Sequence, residues 1–177
     1  ITTNDSLVGV RDPQGFRPLC LGKTEHGYVL SSESCAFDAI RAEFIRDIDP
    51  GEMVIIDDRG VRSTIYAEPQ KIDKKLCVFE YIYFARSDSK IDGQSVYETR
   101  LNMGRELYNE TKYDADIVMS IPDSGTTAAL GYARASGIPF AEGLIKNRYS
   151  GRTFIKPNQE ERELAVRMKL NAMPEVV

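Results

Sequence analysis

The sequence lacks the long apolar runs and the paired cysteines that mark several common protein classes. No window approaches the roughly 18 to 20 consecutive apolar residues that a bilayer span requires, and the first residues have neither the basic patch nor the apolar core of a signal peptide. The three cysteines form no CxxC pair and are too few for the disulfide framework of a small secreted domain. We therefore expect a cytoplasmic protein with reduced thiols and no membrane partner.

Histidine is equally scarce, which limits the catalytic chemistry available to the chain. His26 is the only histidine, and it lies in a turn predicted at residues 26–27, without the constellation of carboxylate and serine that accompanies a catalytic histidine. We expect it to be a surface residue.

The composition that is present fits an ordinary soluble globular protein, with 42% hydrophobic and 28% charged residues in a chain of 177. Such a chain is long enough to bury one core or two small ones. The net charge is −4, yet residues 146–169 carry seven Lys or Arg against three Glu, so that this segment is +4 and the remainder is −8. A short basic segment on an acidic protein favours a small anionic ligand over a nucleic acid, which needs an extended positive surface.

The first part of the chain has the pattern of a strand-rich domain with one helix. After a capping stretch at residues 31–34, apolar residues at helical spacing predict a helix over residues 35–47. A tight glycine-bearing turn at residues 57–60 predicts a hairpin. The predicted strands are residues 7–11, 18–22 and 28–30, with residues 53–56 and 61–66 as the two strands of the hairpin.

A polar run at residues 68–75 separates two differently patterned halves, so we place a domain boundary there, with domains at residues 1–70 and 71–177. The second half has an α/β pattern, in which a strand, a helix and a strand in succession predict a right-handed crossover in a parallel sheet. The predicted elements are a helix at residues 96–108, a buried strand at 116–121, a helix at 123–136 closed by Gly137, and a strand at 138–145.

The turn between the predicted strand at 116–121 and the following helix is the most informative local feature. Backbone N–H groups at a helix start, the helix dipole and the hydroxyls of Ser124, Thr126 and Thr127 all favour an anion such as a phosphate. Asp123 could add a contact to a hydrated metal ion. Since no Gly-Lys pair follows, this turn is not a Walker loop. The alternative is that the hydroxyl side chains only cap the helix.

The segment that follows the next predicted strand, residues 146–155, mixes arginines with an aromatic residue and a glycine. The planar fork of arginine suits phosphate oxygens, and Gly151 provides the backbone freedom that a closing loop needs to exclude water. The pattern therefore favours a lid that grips phosphate. A basic loop that is merely a solvated surface is the alternative.

Four segments of the chain, in this order, resemble the amidophosphoribosyltransferase family. They are residues 11–19 (RDPQGFRPL), 32–38 (SESCAFD), 77–89 (CVFEYIYFARSDS) and 146–155 (KNRYSGRTFI). The resemblance runs nearly from end to end, and four long motifs in order are not expected by chance.

The resemblance implies an enzyme of two parts. An N-terminal cysteine hydrolyses glutamine, and the ammonia passes internally to attack the ribose C1 of phosphoribosyl pyrophosphate (PRPP), which gives phosphoribosylamine and pyrophosphate in purine synthesis. The implied fold is α+β and α/β, the second half of an N-terminal-nucleophile glutaminase domain with αββα layers, followed by the first part of a type I phosphoribosyltransferase parallel sheet. The implied partners are glutamine and PRPP, without nucleic acid, in a homo-oligomer.

The same resemblance assigns roles to individual residues. Ser124 would lie at a Mg²⁺-pyrophosphate site, and residues 146–155 would form the loop that closes over PRPP. Cys77 falls where some members place the first of four thiolates of a [4Fe–4S] cluster, although one cysteine cannot hold a cluster and a merely buried thiol is the interpretation we favour. The implied PRPP-binding residues are Asp123, Lys146, Asn147, Arg148, Tyr149, Arg152 and Thr153.

The chain also departs from the family pattern. It starts at Ile1, without the nucleophilic cysteine and the Asn-Gly elements upstream, and it stops at Val177, before the acidic and threonine-rich loop that holds the ribose phosphate. We therefore expect an internal fragment that contains no catalytic residue of the glutaminase and is inactive alone. Ser87 and Ser150 stand where the family commonly has proline and valine, and neither change removes a charge.

Two other functions remain open at this point. A phosphoribosyltransferase that acts on a free base is disfavoured by the glutaminase-like segments at residues 11–19 and 32–38. The other is a non-enzymatic remnant that serves as an interaction or sensing module. Arg11, Asp12 and Arg17 resemble catalytic groups, but a salt bridge that anchors the strands around residues 13–15 explains them equally well, and we predict a structural role.

Overall fold

The structure is a computed structural model that describes residues 1–151, 153 and 155–177. The chain forms two compact units, Ile1–Thr99 and Arg100–Val177. Helices and strands are mixed along its length, as the predicted α+β class requires. The domain boundary placed between residues 70 and 71 stays a prediction. None of the helices described is both long and apolar enough to cross a membrane.

The first unit contains two three-stranded antiparallel sheets, with strand orders β1-β5-β6 and β3-β2-β4, and the two-stranded ribbon β7-β8. The hairpin predicted around residues 57–60 is confirmed as β5-β6, with Asp57 paired to Gly60. The predicted strands at 7–11 and 28–30 are confirmed as well, and the one at 18–22 begins and ends two residues later. The strands are β1 (Leu7–Val10), β2 (Cys20–Thr24), β3 (Gly27–Ser31), β4 (Glu43–Asp47), β5 (Glu52–Asp57), β6 (Gly60–Ile65), β7 (Lys90–Ile91) and β8 (Gln94–Ser95).

The core of the first unit is made from the inward faces of these sheets. Leu21, Ile48 and Val54 are almost fully buried and form one cluster, against which Leu30 and Ile56 pack. A second cluster joins Ala85, Ile91 and Val96. Burial of such aliphatic side chains contributes about 1.5–3 kcal/mol each, so these clusters dominate the stability of the unit.

The helix predicted over residues 35–47 is wrong in its second half. Helix α1 (Cys35–Ile40) ends at Arg41, which adopts a left-handed conformation with φ 54°, and the chain then forms β4, antiparallel to β2. The apolar spacing of Phe44 and Ile45 is compatible with either structure over so short a run. Pairing with β2 decides the outcome, because aromatic and β-branched residues suit a strand and the ladder supplies their backbone hydrogen bonds.

The rest of the chain contains the remaining helices and two more strands. The predicted helix at 96–108 is confirmed as α2, and the helix that Gly137 closes is confirmed as α3, although α3 begins at Thr126 rather than at residue 123. Gly137 has a φ of 76°, a left-handed conformation that favours glycine. The elements are α2 (Val96–Glu110), α3 (Thr126–Ser136), β9 (Leu144–Lys146), α4 (Gln159–Lys169) and β10 (Leu170–Ala172), with a 3₁₀ turn at Pro69–Lys71 and a π-helical turn at Glu80–Phe84.

Helices α2 and α3 pack with their backbones in contact, because glycines stand at the crossing. A Cβ on Gly104 would lie 1.8 Å from the Ala128 carbonyl oxygen, and one on Gly131 would lie 2.0 Å from the Leu101 carbonyl oxygen. Nearby, the rings of Tyr108 and Tyr132 meet edge to face. This tight crossing fixes the helix that carries the candidate phosphate turn.

The strands predicted at 116–121 and 138–145 are shorter than expected. One parallel bridge joins Val118 to Phe140, and β9 pairs instead with β10 in an antiparallel ribbon. The run at 116–121 is also not buried, since Met119 is 38% and Ile121 is 62% exposed. An apolar run is buried on both faces only where neighbouring strands and helices cover it, and the elements described around this run cover it only in part.

Candidate functional site

The candidate site is built on the turn at residues 122–125 and the start of α3. The Thr126 N–H donates to the Asp123 carbonyl oxygen at 3.2 Å, and the Ala129 N–H donates to the Gly125 carbonyl oxygen at 3.0 Å. The peptide bond between Pro122 and Asp123 is cis. The first N–H groups of a helix have no partner within the helix and carry its partial positive charge. The turn therefore presents a local positive end to an incoming anion.

The hydroxyl groups around this turn are arranged for more than helix capping. The N-cap position of α3 belongs to Gly125, which has no side chain to cap with. Thr126 Oγ1 lies 3.1 Å from Ser120 Oγ, so these two hydroxyls bond to each other. Ser124 is half-buried, in the turn itself. The capping role considered for Ser124 and the threonines thus does not describe the N-cap of this helix.

The basic loop begins next to this turn. Lys146 is the last residue of β9, and its Nζ forms an ion pair with the carboxylate of Asp123. The Lys146 side chain is 25% exposed, whereas that of Asp123 is 78% exposed. Two features that sequence reasoning found separately, 23 residues apart, are therefore side by side in the second unit.

The first residues of the loop are anchored to the strand β10 and to the end of α4. The Asn147 N–H donates to the Lys169 carbonyl oxygen at 2.8 Å, and Asn147 Nδ2 donates to the Met168 carbonyl oxygen at 3.3 Å. Asn147 Oδ1 also accepts the Tyr149 N–H at 3.0 Å. Asn147 thus sets the direction in which the loop leaves β9. Lys169, which sequence reasoning missed, donates to the Gly151 carbonyl oxygen at 3.1 Å.

The other predicted loop residues differ widely in environment. Arg148 and Tyr149 are exposed to solvent, and Tyr149 is fully so. Thr153 is buried, at 5% exposure. Arg152 lies outside the described residues. Arg148 and Tyr149 are therefore accessible to a ligand from solvent.

The oxygen donors at the turn suit a hard divalent cation. Magnesium keeps several waters and uses one or two carboxylates together with substrate phosphates, and Asp123 and Ser124 provide a carboxylate and a hydroxyl. Among the described residues there is no group of three or more His, Cys, Asp or Glu side chains that could hold a metal alone. A cation at this turn would therefore depend on the phosphate for most of the negative charge around it.

Cys77 is a half-buried free thiol at the start of the segment 77–89. Its N–H donates to the Phe16 carbonyl oxygen at 3.1 Å, which ties this segment to the loop after β1. The other two cysteines are buried, and burial raises the pKa of the Cys20 thiol to about 12. Cys20 is therefore an inert core residue.

The charged residues of the segment 11–19 hold the first unit together. Arg11 is 2% exposed, and its guanidinium binds both carboxylate oxygens of Asp92 at 2.9 and 3.0 Å and the Ile48 carbonyl oxygen at 2.7 Å. The Asp12 carboxylate accepts backbone N–H groups from Gln14 and Phe16, both at 3.1 Å. These contacts are the structural role predicted for Arg11 and Asp12.

Arg17 has a structural contact and His26 a surface position, as predicted for each. Arg17 forms a salt bridge of 2.8 Å with the buried Glu80, and its guanidinium lies 4.7 Å from the centre of the Phe84 ring. His26 is 86% exposed beside Glu25, at the surface as predicted.

Two acidic partners of these motifs escaped sequence reasoning. Asp92 lies 81 residues from Arg11, and burial opposes its ionisation, but hydrogen bonds from Arg11 and Lys74 outweigh burial and hold the pKa of Asp92 below its usual value. Glu33 accepts the Arg86 N–H at 2.8 Å and the Ser89 hydroxyl at 2.9 Å. No local pattern in the sequence connects these distant pairs.

Comparison with known proteins identifies the relatives of the chain. No protein-family model matches it. An amidophosphoribosyltransferase of Archaeoglobus fulgidus is 53% identical over 174 residues, which cover 98% of this chain and 38% of the relative. One of Synechococcus elongatus is 54% identical over 182 residues, which cover 100% of this chain and 36% of the relative. The chain thus spans well under half the length of these curated relatives.

The solved structures give the same answer. The glutamine phosphoribosylpyrophosphate (PRPP) amidotransferase of B. subtilis, complexed with ADP and GMP, matches with a TM-score of 0.89 and 48% identity, over 99% of this chain and 38% of that one. A structure described as the allosteric regulatory enzyme of purine biosynthesis also matches with a TM-score of 0.89. Over the segment that it spans, the chain therefore belongs to the amidophosphoribosyltransferase family, as the resemblance of its motifs predicted.

Proposed function

We propose that this chain is part of a glutamine-dependent amidophosphoribosyltransferase of purine synthesis, a glycosyltransferase that makes 5-phosphoribosylamine from PRPP and glutamine nitrogen. The support is similarity along the whole chain, at 53% and 54% identity to two amidophosphoribosyltransferases. Within that enzyme, residues 1–70 would belong to the glutaminase domain. Residues 71–177 would begin the type I phosphoribosyltransferase domain, to which the parallel bridge between Val118 and Phe140 is suited.

The observation that carries the proposal for the second unit is the ion pair between Lys146 and Asp123. It places the start of the basic loop beside the turn that opens α3. In the reaction, the bond between ribose C1 and the pyrophosphate oxygen breaks, so the sugar gains positive charge and the departing pyrophosphate gains negative charge. Groups that are fixed in advance around the leaving anion lower the barrier. The α3 amides and Lys146 are such groups.

Each residue of the loop has a role that follows from its position. Asn147 fixes the loop base on the C-terminal end of α4. Arg148 would bring a planar fork to the phosphate oxygens, and the fully exposed Tyr149 would cover the ligand when the loop closes. Closure excludes water, which otherwise competes with ammonia for the sugar cation. Arg152 and Thr153 belong to the same proposed lid.

Magnesium fits this site as a cofactor. When bound, the cation would neutralise part of the pyrophosphate charge, with Ser124 and Asp123 as its protein ligands. Cys77 would become a ligand of a [4Fe–4S] cluster only with three thiolates from elsewhere in the longer protein, and visible absorbance of the protein purified without oxygen tests this.

The function is tested on the full-length natural protein that contains this sequence, by glutamine-dependent and PRPP-dependent release of pyrophosphate. We expect turnover that needs both substrates, and Lys146→Gln should reduce turnover of PRPP while glutamine hydrolysis continues. Lys23→Gln, which changes an exposed lysine of the first unit, is the matched control. An intact protein with no pyrophosphate release would contradict the proposal and favour a non-enzymatic module.

A further inference from the structure

Lys146 and Asp123 form an ion pair whose two side chains differ in burial. The lysine side chain is three-quarters buried, and its ammonium group is directed to the turn at residues 122–125, whereas the carboxylate is mostly in solvent. The lysine charge therefore has few alternative positions, while the aspartate can turn away into water. In the absence of another anion, the carboxylate of Asp123 is the counter-ion of Lys146.

An anion at the start of α3 has to compete with that carboxylate. Asp123 immediately precedes Ser124 and lies three residues before the first residue of α3. A phosphate held by Lys146 and the α3 amides would thus meet a like charge at close range, which opposes its binding. It would also have to replace the carboxylate on Lys146. Both effects act against the anion, and both arise from one side chain.

We propose that Asp123 is an internal competitor for the pyrophosphate: it holds Lys146 while the site is free of ligand and releases it when the pyrophosphate enters. This inference rests on the proposed function, because it assumes that pyrophosphate binds at this turn. Asp123 thereby sets how strongly free anions bind, and it selects for a ligand with enough charge to displace a carboxylate. After release, the carboxylate is available to a divalent cation that accompanies the ligand.

The test uses calorimetric titration of the full-length protein with inorganic pyrophosphate, first with Mg²⁺ and then with a chelator and no metal. Asp123→Asn keeps the shape of the side chain and removes its charge. Without metal, we expect this variant to bind pyrophosphate about two- to fivefold more tightly than the natural protein, the range that the loss of one partly exposed ion pair allows. Asp116→Asn, an equal charge change at another exposed aspartate of the same unit, should leave the affinity nearly unchanged.

The outcomes separate the two claims. If the natural protein binds no pyrophosphate even with Mg²⁺, the proposed function of this site fails. If it binds with Mg²⁺ but Asp123→Asn is no tighter than the natural protein without metal, the competitor role is overturned and the site itself stands. An equal gain in Asp116→Asn also overturns it, because the gain would then reflect only net charge. Tighter binding confined to Asp123→Asn supports the inference.

Discussion

A charged pair in the first unit and the charges of the candidate site in the second unit lie in opposite surroundings. In the first unit, Arg11 and Asp92 are paired below the surface, at 2% and 9% exposure. In the second, Arg148 is exposed and the Asp123 carboxylate is 78% exposed. A buried charge that is already paired is out of reach of a ligand, whereas an exposed one can change partners. We therefore attribute a stabilising role to the pair of Arg11 and Asp92, and we propose ligand binding for Arg148 and the pair of Lys146 and Asp123.

The largest effect is expected from removal of the buried guanidinium. After Arg11→Ala, the salt-bridge partner that remains for the Asp92 carboxylate within the described part of the chain is Lys74, which lies 3.2 Å away and is itself 55% exposed. Breaking a buried pair on one side costs about 3–5 kcal/mol in the free energy of unfolding. Urea denaturation measures the loss. Arg59→Ala, at a 70% exposed arginine of the same unit whose partner Asp57 keeps Arg62, should shift the midpoint much less. Equal effects of the two changes would remove the distinction between buried and exposed charges.

The second-largest effect is expected at the close contact between α2 and α3 in the second unit. Gly104→Ala would place a methyl group 1.8 Å from the Ala128 carbonyl oxygen. The helices α2 and α3 would have to separate, which costs about 1–3 kcal/mol for an overpacked contact. Gly151→Ala is the matched control, since a Cβ there would meet no described atom within 4 Å. Thermal unfolding should show a lower midpoint for Gly104→Ala alone.

A smaller effect separates two buried carboxyls of the first unit by their response to pH. Hydrogen bonds from Arg46 lower the pKa of Glu52, so its contribution to stability is present above its unfolded pKa and is lost as the pH falls through its folded pKa. Burial raises the pKa of Glu80 despite the opposing charge of Arg17. Its contribution is therefore complete below its unfolded pKa and is lost as the pH rises through its folded pKa.

Urea unfolding of Glu52→Gln and Glu80→Gln, at a series of pH values between about 3 and about 7, measures these slopes. In the natural protein, Glu80 lowers the free energy of unfolding as the pH rises, and Glu80→Gln should abolish this contribution. Glu52 raises the free energy of unfolding as the pH rises, and Glu52→Gln should abolish that contribution. If both substitutions changed the slope of stability against pH in the same direction, the two side chains would not have the different environments described.

The smallest effect on stability is expected in the loop. Arg148→Ala should change the free energy of unfolding by less than about 0.5 kcal/mol, because the side chain is exposed. The affinity of the full-length Arg148→Ala variant for pyrophosphate should nevertheless fall about tenfold or more, since a charge-assisted hydrogen bond is lost. A marked loss of stability with unchanged affinity would assign Arg148 to the fold instead of the site.

The sequence predicted those elements of the fold that are determined by their own residues, and it failed where distant neighbours decide the structure. Local signals were sufficient for the hairpin at β5-β6 and for the C-terminal end of α3 at Gly137, since turn chemistry fixes both. They failed at residues 43–47, where pairing with β2 overrode a helical spacing. They failed again at residues 116–121, whose burial depends on neighbours that the run itself does not specify.

The candidate site divides in the same way. Ser124 could be proposed because a strand, a turn and a helix start in sequence favour an anion. The loop at 146–155 could be proposed because it combines arginines with an aromatic residue and a glycine. The ion pair of Lys146 with Asp123 could not be derived from spacing, because only the folded chain brings two loops together. Asp92 and Glu33 were missed for the same reason, as partners more than fifty residues from the groups they bind.

The most direct test of the account is a structure of the full-length protein with bound pyrophosphate and Mg²⁺. The central claim predicts that Lys146 Nζ and the backbone N–H groups at the start of α3 contact one and the same pyrophosphate, with the Asp123 carboxylate turned away from Lys146. A pyrophosphate that contacts only one of these two elements, or that binds at a different surface, would contradict it.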